Sequence, residues 1–266
     1  MKAHLHTVIL TGIRGKSFYL LLVLGVFISA AVMLVSNFSL REPAAVALST
    51  GFSLVRMLTI FFSIYWVHDM VAQDIERKSL AAALSLPRPR WQWVVGMYAG
   101  VSVLSFMACC LLFAILWLTM QLIDGSSQLI PVNLGLPFIA SGLALYSCLL
   151  VILAFTTMVA VVSTTPFLPL LSGLLFALMA SVLGPTRQFL SQADAGLVEN
   201  QDQLLESLRF AGYLIPDLDR MDIRVWSIYN AVPDWSELAL TAFVMACYAV
   251  LSLVVGIVVF QRREFP

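Results

Sequence analysis

Of the 266 residues, 61% are hydrophobic and 11% are charged, whereas a soluble domain carries roughly 25% charged residues. The mean hydropathy of +0.94 therefore predicts an integral membrane protein rather than a soluble domain. The formal net charge is zero at pH 7, and a chain with no basic excess is not expected to bind nucleic acid.

Residues 1–16 are predicted to form an amphipathic helix that lies on the inner leaflet, because apolar residues share one helical face and basic residues flank it. At the end of this stretch, the sequence matches the end of a phosphate-binding loop at Gly15, Lys16 and Ser17. Such a loop also needs a glycine where this chain has Leu10, and a strand must precede it. We therefore expect no nucleotide site in this chain.

The rest of the chain contains six apolar runs that can cross a bilayer, since a transmembrane helix needs about 20 apolar residues. Arg56, near one end of the second run, is expected to snorkel toward the headgroups. Residues 125–186 contain no charged side chain and must hold two spans, with a turn at 163–169 marked by two prolines. The chain is predicted to be a single all-α transmembrane domain over 1–266, with spans at about 17–38, 53–72, 92–121, 136–162, 167–184 and 238–260.

The basic residues predict that both termini lie in the cytoplasm, since cytoplasmic loops carry an excess of lysine and arginine. With this orientation the inner segments hold Lys2, Arg14, Lys16, Arg77, Lys78, Arg88, Arg90, Arg262 and Arg263. The outer segments hold Arg41, Arg56 and four arginines of the long 185–237 loop. Charges in a loop this long have little influence on the orientation of the protein. The segment 74–90 is therefore predicted to be cytoplasmic.

The 185–237 loop is hydrophilic and is predicted to form a small cap outside the membrane. A short amphipathic helix is expected around Leu204, Leu205, Leu208 and Ala211. Three acids of the loop suggest a calcium site, but the spacing of an EF-hand is absent and Arg220 and Arg224 lie among them. A solvated loop whose charges pair with one another is the favoured interpretation for Asp217, Asp219 and Asp222.

Few other sequence patterns suggest a catalytic, redox or metal-binding site. The four cysteines fall inside predicted spans without a CxxC pattern, which favours packing over metal or redox work. His68 and Asp69 suggest either a proton relay or, preferably, a pair wetted by headgroups. No serine, histidine and carboxylate converge within a span, so a hydrolase is not expected.

The segment 74–90, DIERKSLAAALSLPRPR, is the most polar stretch of the first half of the chain. A polar cap precedes SLAAALSL, which favours a helix, and Pro87 and Pro89 end that helix. Trp91 and Trp93 mark the interface where the third span begins. The pattern predicts a rigid helix along the inner membrane surface, and an ordinary connecting loop with positive charges is the alternative.

This segment resembles the first cytoplasmic loop of type-2 ABC exporter permeases, and the matching residues are Asp74, Glu76, Ser79, Leu84, Ser85, Leu86, Pro87, Arg90 and Gly96. Residues 214–238, followed by a final span that closes in FQRREF, resemble the last part of the same permeases. The nearest group is the one that contains the nitrous-oxide-reductase maturation permease. The sequence departs from the family pattern at Met97, often a lysine, and at Arg77 and Lys78, which replace a glycine-containing step. It also lacks the acidic residue common in the family's N-terminal helix.

The resemblance implies the transmembrane subunit of an ABC exporter in the inner membrane of a bacterial cell. Two such subunits, two copies of this chain or this chain and a paralogous permease, would pair over separate ATPase subunits that hold ATP and Mg. The chain itself would be no enzyme and carry no cofactor. Segment 74–90 would be the coupling helix and the 163–169 turn a second contact, so the ATPase-coupling residues would be Asp74, Glu76, Arg77, Lys78, Ser79, Pro87, Arg88, Arg90, Thr164 and Thr165.

The cargo is not specified, although spans without buried charge favour a lipid-like or amphipathic molecule over a small ion. Membrane lipids and a protein bound to 185–237 are further possible partners. Two other functions stay open. One is a non-transporting anchor or assembly subunit of a respiratory or cofactor-maturation complex. The other is a secondary transporter, which would need intramembrane charges or paired broken helices.

Overall fold

The computed structural model describes residues 12, 15–38, 42–76, 91–123, 132–163, 165, 167–192, 206–208, 210, 212 and 215–262. Most of the predicted N-terminal interfacial helix and residues 77–90 of the predicted coupling segment lie outside the described residues. So does most of the stretch for which an amphipathic helix is predicted in the long loop, although residues 206–208 are helical.

Long helices make up nearly all of the described chain, and none of the described residues forms a strand. Six helices are long and apolar enough to cross a membrane, which confirms the predicted all-α, six-span membrane fold. The elements are α1 (Lys16–Phe38), α2 (Pro43–Glu76), α3 (Trp91–Gln121), α4 (Leu136–Val162), α5 (Phe167–Gln192), a 3₁₀ turn (Leu218–Met221), α6 (Arg224–Tyr229) and α7 (Trp235–Arg262).

The long helices run alternately in opposite directions, so the bundle has two ends. At one end Trp66 Nε1 of α2 donates to Ser17 Oγ of α1 over 3.0 Å, and Trp93 of α3 stacks on Phe260 of α7. We call this the turn end, because it also holds Ser163 and the short connection from α4 to α5. The opposite end holds residues 215–234, and we call it the loop end.

Helices α2, α3 and α4 occupy the centre of the bundle, since each packs against four of the other long helices. The side chains of Phe62, Trp66 and Leu104 are almost completely buried around α2. Glycines let other helices approach α4 closely: a Cβ on Gly256 of α7 would lie 3.2 Å from the Cα of Met158. Small residues at such crossings are typical of helix packing within membranes, where close van der Waals contact drives association.

Helix α2 is longer than its apolar run, since it begins at Pro43 rather than near Ser53. Proline is well suited to the first position of a helix, because the N–H that it lacks would have no partner there. Arg56 therefore lies about 20 Å from the start of its helix, at about 1.5 Å per residue. The expectation that Arg56 snorkels from the end of a span is wrong, because its guanidinium is held by carboxylates inside the bundle end.

Helix α5 also continues past its predicted end, through Pro185 to Gln192. An internal proline removes one backbone hydrogen bond, but helices that span membranes tolerate it where neighbouring groups satisfy the freed carbonyl. The extra turns bring Arg187 alongside the segment 215–220 at the loop end.

Candidate functional site

Residues 215–230 fold back onto the loop end of the bundle, and we call them the docked segment. The side chains of Leu218, Met221 and Ile228 are buried, at 1%, 5% and 3% exposure. The part of the prediction that made this loop solvated is therefore wrong for these apolar residues. Its apolar residues recur at a spacing that faces the bundle, and burying them stabilises the docked position.

Hydrogen bonds fix the docked segment against α4 and the residues that precede it. Asn133 N donates to Ser227 O over 2.8 Å, and Ser227 Oγ donates to Asn133 O over the same distance. Deeper in the bundle, the Cys148 thiol donates to Leu218 O over 3.6 Å. Because these bonds satisfy carbonyls that water does not reach, irregular backbone can lie within the helix bundle.

The local conformation of the segment follows from its polar residues. The Asp217 side chain accepts from Asp219 N over 3.2 Å and starts the 3₁₀ turn. Asn230 ends α6 with a φ of 56°, a left-handed conformation that asparagine tolerates better than most residues. At the start of α7, Asp234 accepts from Ser236 N and Ser236 Oγ. These bonds favour the ionised carboxylate and lower the pKa of Asp234.

A cluster of four charged residues joins the docked segment to α2. Arg56 Nη1 lies 3.1 Å from Asp222 Oδ2 and 4.0 Å from Asp219 Oδ1, and Arg224 Nε lies 3.2 Å from Asp222 Oδ2. Arg56 Nη2 also donates to Ser181 Oγ of α5 over 3.3 Å. We call Arg56, Asp219, Asp222 and Arg224 the charge cluster; its two guanidinium groups balance its two carboxylates.

The predicted self-pairing of the loop charges is confirmed, since Arg224 pairs with Asp222 and Arg220 pairs with Asp217 over 3.4 Å. The prediction did not include Arg56, which is the residue that connects these charges to the membrane helices. Its sequence signal was an arginine inside an otherwise apolar run, because a charge at such a position requires a partner.

Burial raises the pKa of Asp219, and the nearby charge of Asp222 raises it further, while Arg56 opposes the shift. A cavity of about 20 Å³ lies beside the cluster and is lined by Arg56, Asp222 and Ser141, among others. That volume is enough for about one water molecule, and the polar groups around it supply hydrogen-bond partners. The cluster is therefore a partly buried ionic contact at the loop end of the bundle.

The residues that sequence reasoning assigned to ATPase coupling belong to the opposite end. Asp74 and Glu76 lie in the last turn of α2, and Thr165 is exposed between α4 and α5. The structure thus brings these three positions to the turn end of the bundle. The remaining coupling residues lie outside the described part of the chain: Arg77, Lys78, Ser79, Pro87, Arg88, Arg90 and Thr164.

The four cysteines form no disulfide with one another. Cys109 and Cys148 are buried, whereas Cys110 and Cys247 are exposed on the surfaces of α3 and α7. For Cys148 the contact with Leu218 O shows a packing role. His68 lies on α2 with its ring centroid 6.5 Å from that of Tyr65, and its role together with Asp69 stays a prediction.

Comparison with known proteins gives no relative from which a function can be transferred, since no family model matches the chain and no curated protein matches it. The class of fold, in contrast, is established by the structure. The chain is an all-α, multi-pass membrane protein with six helices that can span the bilayer.

Proposed function

We propose that this chain is the permease subunit of an ATP-driven ABC exporter, in which two permease subunits pair over separate ATPases. One observation carries the proposal. The described residues of the two segments that the sequence resemblance assigns to the ATPase lie at the turn end of the bundle: Asp74 and Glu76 are in the last turn of α2, and Thr165 lies between α4 and α5. A single partner at that end can therefore contact both segments.

The central helix α2 supports the proposal, because it connects the two ends of the molecule. It is continuous from Pro43 to Glu76, about 50 Å at about 1.5 Å per residue. Its last turn holds Asp74 and Glu76, and its loop-end half holds Arg56 of the charge cluster. A push on the 74–90 segment would be transmitted along α2 to the docked segment.

In this mechanism, ATP-driven closure of the ATPase pair moves the coupling segments and shifts the bundle between inward-facing and outward-facing states. The docked segment would cover the outer end in one state and be displaced in the other. Cargo would pass between the two permease subunits or enter sideways from the inner leaflet. The protein would lie in the cytoplasmic membrane of a bacterial cell with both termini inside.

The proposal is tested by reversing the charge of Glu76. The variant Glu76→Arg would place a positive charge opposite the positive group of the ATPase that Glu76 is proposed to contact. The expected loss is about 2–5 kcal/mol of docking free energy if water is excluded from that contact. Each tagged variant is purified from native membranes, and the magnesium-dependent ATP hydrolysis that accompanies it is measured. We expect Glu76→Arg to retain membrane insertion and to lose most of this activity.

The matched control is Glu206→Arg, a charge reversal at an exposed residue of the long loop. It should keep the wild-type amount of ATPase. A second variant, Ala82→Pro, breaks the predicted coupling helix without changing its charge, at about 3 kcal/mol or more of helix stability. Full ATPase activity in both Glu76→Arg and Ala82→Pro would refute the exporter proposal. Purification with a redox complex and no ATPase would favour the anchor function instead.

A further inference from the structure

A groove of about 170 Å³ lies at the loop end between α5, α7 and the docked segment. Arg56 and Asp222 of the charge cluster are not among its lining residues, and the exporter proposal assigns no role to it. One part of its wall is polar and is formed by Arg187, Arg220 and Asp217. The other part is apolar and includes Leu183, Leu240 and Val244.

The polar part of the groove carries more positive than negative charge. Arg220 Nε pairs with Asp217 over 3.4 Å, whereas Arg187 has no ion pair with any carboxylate of the residues that the structure describes. Among the described residues that line the groove, two guanidinium groups therefore face one carboxylate. This excess of positive charge gives the described lining an electrostatic preference for an anion.

With Phe167, the first residue of α5, placed at one edge of the hydrocarbon core, Arg187 is expected at the headgroup level of the other edge. It lies about 30 Å along α5 from Phe167, at about 1.5 Å per residue, which is the thickness of the hydrocarbon core of a bilayer. An arginine at that depth is placed where a phosphate of the adjacent leaflet lies. Its planar guanidinium can bind two phosphate oxygens at once, which a lysine cannot do.

The apolar part of the groove is continuous with the surface that faces lipid. Leu240 is 63% exposed and Val244 is 43% exposed on α7, and Val182 of α5 is 56% exposed. A hydrocarbon chain can therefore leave the groove along α5 and α7 without crossing a polar surface. The groove therefore has a cationic part and, below it, an apolar wall. These two parts are complementary to an amphiphile with an anionic headgroup and a hydrocarbon chain.

We propose that this groove binds an anionic phospholipid of the surrounding bilayer, with the headgroup phosphate between Arg187 and Arg220 and an acyl chain along Leu240 and Val244. The site is independent of the exporter proposal. Lipid binding there can hold whether or not an ATPase binds the turn end, and the two proposals fail in different experiments.

The test uses the full-length protein in detergent and native mass spectrometry with three probes: phosphatidylglycerol, phosphatidylcholine and inorganic phosphate. We expect phosphatidylglycerol to bind more tightly than phosphatidylcholine, whose headgroup has no net charge. Inorganic phosphate should bind weakly, because it lacks the acyl chain. Arg187→Gln should weaken phosphatidylglycerol binding by about tenfold or more, as expected for the loss of a charged hydrogen bond.

Three further variants separate the site from general effects. Arg262→Gln removes an exposed arginine at the turn end and should leave binding unchanged. Arg187→Lys keeps the charge and should retain part of the affinity. Val244→Trp fills the apolar wall and should weaken phosphatidylglycerol without changing the response to inorganic phosphate. Size-exclusion elution at the wild-type volume shows that each variant is folded.

Three results would overturn the proposal. One is equal binding of phosphatidylglycerol and phosphatidylcholine, which would make the contact an ordinary annular one. Another is wild-type phosphatidylglycerol affinity in both Arg187→Gln and Val244→Trp. Inorganic phosphate that binds as tightly as the lipid would show a site for a free anion, and would also refute the assignment to a phospholipid.

Discussion

At the scale of single residues, Asp222 organises the loop end of the protein. It pairs with Arg56 of α2 and with Arg224 of its own segment, and its Oδ1 accepts from Arg224 N over 3.3 Å. Removing charges from water is unfavourable, so such a buried cluster adds little net stability to a fold. The cluster instead favours one position of the docked segment, because each guanidinium has a carboxylate partner only when the segment is docked.

Asp219 makes the docked position depend on pH. Its pKa is raised above the ordinary value of 3.8 by burial first and by Asp222 second. A group whose pKa is higher in the folded state contributes stability that is present at low pH and lost as the pH rises through the raised pKa. Ionised Asp219 is therefore unfavourable in the docked segment at neutral pH.

We predict that Asp219→Asn stabilises the protein at neutral pH and has little effect at a pH well below 3.8, where the Asp219 carboxyl is protonated in both the folded and the unfolded wild-type protein. The measurement is the thermal unfolding midpoint of both proteins in detergent across that range. The difference between them should grow as the pH rises. A variant that is equally or less stable than the wild type at neutral pH would show that the attraction of Arg56 outweighs burial and Asp222.

At the scale of elements, the docked segment depends on close contact with α5. A Cβ on Gly184 would lie 2.6 Å from Asp217 Oδ1 and 3.0 Å from the Cβ of Asp219. Atoms do not approach so closely, so any side chain at this position must shift the Asp217 carboxylate, which caps the 3₁₀ turn, or the turn itself. The absence of a side chain is what lets the turn lie against the helix.

We therefore predict that Gly184→Ala loosens the docked segment, although alanine stabilises a helix by about 0.5–1 kcal/mol relative to glycine. The readout is Cys148, which is 7% exposed and lies beneath Leu218. In a background where the other cysteines are alanine, a membrane-impermeant maleimide should label Cys148 faster in Gly184→Ala than in the unchanged protein.

The matched control is Gly212→Ala, because a Cβ on Gly212 would lie 3.8 Å from Leu183 Cδ2, an ordinary contact. It should leave the labelling of Cys148 unchanged. Equal labelling rates in Gly184→Ala and Gly212→Ala would mean that the turn accommodates a methyl group and that the docked segment does not depend on Gly184.

At the scale of the whole molecule, the alternating helices place two distinct surfaces at opposite ends. The turn end holds Asp74, Glu76 and Thr165, the described residues among the predicted ATPase contacts, and the loop end holds the charge cluster and the groove between α5 and α7. Because α2 extends through both, the fold provides a mechanical connection between them.

The orientation predicted from the basic residues can be tested at this scale. Thr165 lies at the turn end and Glu206 in the long loop, and both are exposed. Single cysteines at these positions, in a background without native cysteines, should be labelled by an impermeant maleimide from opposite sides of the membrane. We expect Glu206→Cys to react in intact cells and Thr165→Cys to react only after the membrane is opened. Reaction of Thr165→Cys in intact cells would overturn the predicted orientation.

Much of the fold could be predicted from the sequence because the bilayer imposes a simple length rule. Runs of apolar residues long enough to cross it predicted six helices, and the prolines of 163–169 correctly marked the short connection between α4 and α5. Helix ends were less predictable. Helix α2 includes residues 43–52, which extend it beyond its predicted span, since a helix end depends on local partners as well as on hydropathy.

The loop end was decided by the tertiary structure. Arg56 and Asp222 are 166 positions apart in the sequence, and the pattern around each predicted a local solution: Arg56 snorkelling to the headgroups and Asp222 pairing within its own loop. Their pairing requires α2, α4 and α5 to be packed and Gly184 to leave room for the 3₁₀ turn. Hydropathy acts on each segment separately, so the sequence by itself determined which helices enter the membrane. The docked segment and the groove depend on shape and charge contributed by several helices at once, and for this reason they emerged only when those helices were packed together.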